Sequence, residues 1–161
     1  MLLAGIIVGA IIVFGVMAIL LLLPRGKQVE VIAETGVPFE LRCCPKDDKP
    51  YRLWARLDVH WRSGGGNDYG IVFDLKVAIN DHVIRDQPFG LGHDIPDGVE
   101  RLFVRSERFV SDRSSPSGYW HTATVKLLDL GRRPRNSEIV VSGTVLPGRK
   151  TAVSPTKLFI A

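Results

Sequence analysis

Residues Leu2 to Leu23 contain no charged, amide or hydroxyl side chain, an uninterrupted apolar run of 22 residues. As a helix it would be about 33 Å long at 1.5 Å per residue. The hydrocarbon core of a bilayer is about 30 Å thick, so the run is long enough to span it. Pro24 stops such a helix, and Arg25 and Lys27 mark an interface. A cleaved signal peptide would have a basic start, an apolar core of roughly 7–15 residues and a small-x-small cleavage site. This chain opens Met1-Leu2-Leu3, and its run ends on the bulky residues Leu20 to Leu23. The expectation is a retained transmembrane anchor over residues 1–24 and one domain over 25–161.

Gly5 and Gly9 form a Gly-x-x-x-Gly pair, which lets two helix backbones approach closely. They are the candidate helix-packing residues, for self-association or for docking on an integral-membrane partner. Chance is the alternative, because Gly is common in membrane helices. Orientation follows from the basic flank. Arg25, Lys27 and Arg42 all follow the run, which places the domain in the cytoplasm by the positive-inside rule. Against this, β-rich domains on N-terminal anchors are often exported in bacteria. The linker Pro24 to Gln28 is short, so the domain sits close to the membrane surface.

Beyond the linker the chain reads as β. From Tyr51 to Trp61, the residues Leu53, Ala55, Leu57, Val59 and Trp61 alternate with Arg52, Trp54, Arg56, Asp58 and His60. Period two puts one set on an apolar face and the other on a mostly polar one. Tyr69 to Ile79 repeats the pattern, with Ile71, Phe73, Leu75, Val77 and Ile79 on one side. Asn80-Asp81 between Ile79 and His82 marks a tight turn, since both residue types tolerate positive φ. Weaker strands are expected over 28–33, 37–42, 102–110, 119–130, 138–146 and 157–161. A short helix near Val99 to Val110 is the competing reading there. Turn-forming residues separate the segments. The Pro-, Gly- and Asp-rich stretch Gln87 to Val99 reads as a long ordered loop. The fold expected is all-β: an antiparallel sandwich of eight or nine strands, Ig-like or jelly-roll-like, behind one N-terminal helix.

The chemistry-bearing residues are few and scattered. Cys43 and Cys44 are adjacent, and a bond between neighbours would strain the backbone. The chain has no further Cys, so neither a structural zinc site nor a thioredoxin-like pair is indicated. The expectation is a buried strand-end thiol beside an incidental one. Asp58 and His60 share a strand face, and His121 could join them as a metal site if the strands pair suitably. A solvated strand face is the simpler reading. Gly-x-Ser-x-Gly, P-loop and dinucleotide motifs are missing. No metal, cofactor or catalytic residue is therefore assigned.

The chain carries 21 Lys and Arg against 17 Asp and Glu, a net charge of +4. Arg132, Arg133 and Arg135 cluster in one loop, Arg101, Arg105, Arg108 and Arg113 precede it, and a surface so charged attracts acidic headgroups or an acidic partner, a solvated face being the simpler reading. No nucleic-acid-binding module accompanies it, so no nucleic acid is expected. Trp54 sits on the polar side of its strand, and Trp120 poses the same question. Both are candidate interface residues, with Arg132, Arg133 and Arg135. The sequence thus points to a single-pass membrane protein whose sandwich is a non-catalytic accessory or interaction subunit of a membrane complex. The alternative is a tethered ligand-binding module that uses the loops Gly64 to Asp68, Gln87 to Val99 and Ser114 to Gly118. A metal-dependent hydrolase built on Asp58, His60 and His121 is the third reading.

Overall fold

A computed structural model describes residues 29–62, 69–102, 107–115 and 118–161. The apolar run with Gly5 and Gly9, and the loop Gly64 to Asp68, lie outside these residues. No helix among the described residues is long and apolar enough to cross a membrane.

The described chain is all-β and forms two sheets. In the first, β3 (Pro50–Trp61) is central and pairs along its length with β9 (Gly118–Arg132). Its other edge is shared by β12 (Thr156–Ile160) and β11 (Thr151–Val153). The edge strands are β1 (Val29–Ala33), next to β12, and β8 (Glu107–Ser115), next to β9. In the second sheet, β4 (Gly70–Ile79) lies between β10 (Ile139–Pro147) and the pair β5 (His82–Asp86) and β6 (Phe89–Gly92). β2 (Phe39–Cys43) closes one side on β10, and β7 (Glu100–Arg101) runs parallel to β6 on the other. All other strand pairings are antiparallel.

The core lies between the sheets and is made by the alternation expected for β3 and β4. Leu53, Ala55, Leu57 and Val59 meet Ile71, Phe73, Leu75 and Val77, all fully buried. At one end Trp61 packs on Tyr69 and Tyr119, with ring centroids 5.3 and 5.8 Å apart, and Tyr69 stacks on His121 at 5.1 Å. Large rings spanning both sheets fix the spacing of the layers at that end.

Twelve strands are described, against the eight or nine expected. The additions are short. β6 falls inside the stretch read as a loop, because glycines let the backbone come close. A Cβ on Gly70 would overlap the carbonyl of Asp94, and one on Gly92, at φ +83°, would overlap the carbonyl of Tyr69. Tyr69 O accepts from the amides of His93 and Asp94 at 2.8 and 3.1 Å, which pins this turn. In the described part of Val99 to Val110, residues 99–102 and 107–110, the helical option gives way to β7 and the start of β8. The Asn80-Asp81 turn has both residues at positive φ, 50° and 63°, as its residue types require.

Strand direction gives the sandwich two distinct ends. β1 is antiparallel to β12, and β12 to β3, so β1 runs the same way as β3. The chain therefore enters β1 from the side where β3 begins. That end also carries the segment 44–49, the Asn80-Asp81 turn and the segment 133–138. The amide of Asn80 bonds Glu138 O at 2.9 Å there. The opposite end carries the turns at 93–99 and 148–150, which Asp94 ties together by accepting from the amide of Lys150 at 2.5 Å.

Candidate functional site

β3 and β9 turn their polar residues to the outer face of the first sheet, away from the core. Register places Arg113 of β8 beside Trp120 of β9, Trp120 beside His60 of β3, and His60 beside Ala152 of β11. The His60 ring stacks on Trp120 with centroids 4.5 Å apart and 24° between planes. The Arg113 guanidinium lies 4.8 Å from the same indole centroid, approaching from the neighbouring strand on the other side. Stacking and cation–π attraction thus lock the three side chains into one row.

One row along, Thr122 Oγ1 donates to Asp58 Oδ1 at 3.3 Å. The carbonyl of Asp58 accepts from the amide of Ser154 at 3.0 Å, holding the segment after β11 against β3. Together these groups border an open groove of about 520 Å³, with Ala152, Val153 and Ser154 as its far wall. Arg113 borders the groove on the β8 side and Ala152, Val153 and Ser154 on the β11 side, with Asp58, His60, Trp120 and Thr122 lining it between them. Gly118, at φ +146°, leaves room for the row, because a Cβ there would meet His60 Nε2 and the carbonyl of Trp61. That Nε2 is buried and has no hydrogen-bond partner among the described residues.

The possible metal triad does not assemble. His121 pairs with Val59, whose side chain is in the core, whereas Asp58 and His60 face outward. His121 is only 7% exposed and stacks on Tyr69 on the inner side. No group of three or more potential metal ligands occurs among the described residues.

The interface candidates are dispersed. Trp54 lies on the outer face as its parity implies, yet it is only 6% exposed and stacks on Phe159, with centroids 6.4 Å apart. Trp120 is half-buried in the groove. Arg132 and Arg135 are exposed at the chain-entry end, and Arg133 donates through Nε to the carbonyl of Leu130 at 2.7 Å. The five candidates therefore belong to three places rather than one surface. From the sequence Arg113 stands only among the basic residues that precede the Arg132 cluster and is not a site candidate, although a cation one strand away from an outward Trp is a recurrent arrangement.

Cys43 closes β2 opposite Ile139 and is buried, while Cys44 is exposed; the two form no disulfide. Burial pushes the Cys43 thiol up from its ordinary value, and charge on Cys44 adds to this. Asp129 lies at the chain-entry end. The Lys126 ammonium hydrogen-bonded to it at 2.6 Å holds its carboxyl below the usual range, and Arg52 at 3.2 Å acts the same way.

No protein-family model matches this chain, and no curated protein matches it.

Proposed function

We propose that this chain is a membrane-anchored interaction module: an accessory subunit that binds a partner protein through the groove on the outer face of its first sheet. The observation that carries the reading is the row Arg113–Trp120–His60 beside Asp58. Trp and Arg anchors held rigid by their neighbours are the residue types that dominate binding at protein interfaces. A carboxylate and a guanidinium in the same groove suit a partner segment that carries both a donor and an acidic group. The apolar run Leu2 to Leu23 supports the anchor, and the groove lies in the half of β3 away from the chain-entry end. It would face out from the membrane, where a partner can reach it.

Extraction of the full chain from its native membrane in mild detergent tests this, with mass spectrometry of what stays bound. A stoichiometric membrane subunit is expected with the parent chain and is expected to be lost from Trp120→Ala. Removing an interface Trp of this kind costs about 2 kcal/mol or more of binding, at least about 30-fold in affinity. Recovery as a lone monomer, or equal recovery of the partner with both chains, contradicts the proposal.

A further inference from the structure

We propose that the chain-entry end of the sandwich is a docking surface for anionic lipid headgroups, which holds the domain upright on the bilayer. The inference rests on the anchor reading of Leu2 to Leu23 made above. Only the residues Pro24 to Gln28 separate that run from Val29, the first residue of β1. Fully extended, they span at most about 18 Å. Because β1 runs parallel to β3, its entry lies at the end where β3 starts, three residues from the level of Pro50 along the register Val29–Ile160–Leu53. That end must therefore face the membrane at close range.

Its charge suits that position. Arg132 and Arg135 are exposed and make no ion pair among the described residues, and Lys46 on the adjoining segment is in the same state. Most of the acids nearby are already engaged. Asp129 is paired with Lys126 and Arg52, Asp47 with Lys49, and Glu138 with Arg42. Asp48 and Asp81 are the remaining carboxylates of these loops. Val83 and Ile84, beside the Asn80-Asp81 turn, are 43% and 46% exposed and add apolar surface at the same end. A cationic rim with an apolar tip, tethered within about 18 Å of the membrane, is attracted by roughly fivefold in binding for each basic residue near an anionic surface.

Cys44 provides the probe, since it is exposed at this end while Cys43 is buried. The full chain is reconstituted in nanodiscs containing headgroup-nitroxide lipid, with a fluorophore on Cys44. Quenching is compared between wholly zwitterionic discs and discs containing phosphatidylglycerol. Expected are strong quenching in the anionic discs, a clear loss in the zwitterionic ones, and a loss in Arg132→Glu/Arg135→Glu of at least about 25-fold in the ratio of docked to undocked domain. A probe on Lys150→Cys in a Cys44→Ser background, at the opposite end, is expected to stay unquenched. Quenching that is equal in both lipid compositions, or stronger at position 150, overturns the docking proposal while leaving the anchor intact. A chain that alkaline carbonate strips from the discs overturns the anchor itself, and the docking with it.

Discussion

Adjacent cysteines illustrate how strand parity divides neighbouring side chains. Cys43 faces the core at 1% exposure, and Cys44 lies just past the strand end in solvent. Alkylation is therefore expected in two phases, Cys44 at once and Cys43 only as the protein unfolds; equal rates would contradict the placement. The raised Cys43 thiol has a consequence for pH. Its folded value lies above the ordinary 9.0, so the unfolded chain loses this proton first as pH rises. The stability this thiol contributes is complete below pH 9.0 and is lost as pH climbs through the folded value. Urea midpoints on either side of that pH check the sign. The parent is expected to weaken in alkali, and Cys43→Ala, although about 1–2 kcal/mol less stable at neutral pH, is expected to weaken less.

At the level of single elements, strands of five or more residues were legible, including β1, β2 and β12, and the shortest, β6, β7 and β11, were not. β3 and β4 have enough residues for period two to declare itself, and their inward sets are the buried ones. β6 reads Phe-Gly-Leu-Gly, where alternate glycines erase the pattern, and β11 has only three residues. For the candidate site, the parity of β9 carried a usable signal. His121 shares its face with Ala123, Val125 and Leu127, which marks it as inward, while Trp120 and Thr122 fall on the polar face. The pairing Arg113–Trp120–His60 was beyond reach, since it depends on registers among three strands and on a bulge between Arg108 and Ser111. The hairpin between β4 and β5 offers a test of local conformation. Asp81 sits at φ 63°, which costs an ordinary residue roughly 1 kcal/mol and glycine almost nothing. Asp81→Gly is expected to raise the unfolding free energy by about 0.5 kcal/mol, with a higher midpoint, and Asp81→Val to lower it by about 1–2 kcal/mol. A lowered midpoint for the glycine variant would contradict the turn assignment.

Across the whole molecule, topology assigns work to the two ends of the sandwich. Lys46, Arg132 and Arg135 lie at the end where the chain enters β1, which faces the membrane on the reading proposed above, and the groove bounded by Asp58, His60, Arg113 and Trp120 occupies the other half of the first sheet. The interface candidates divide accordingly among the chain-entry end, the groove and a self-packed Trp54–Phe159 pair. Site-directed photo-crosslinking in native membranes tests the division most directly, with the reactive group placed at Thr122 or Ala152 in the groove and at Lys76 on the outer face of the second sheet. The account predicts one discrete adduct of the same partner from both groove positions and none from Lys76. Equal adducts from both sheets, or no adduct from the groove, would contradict it.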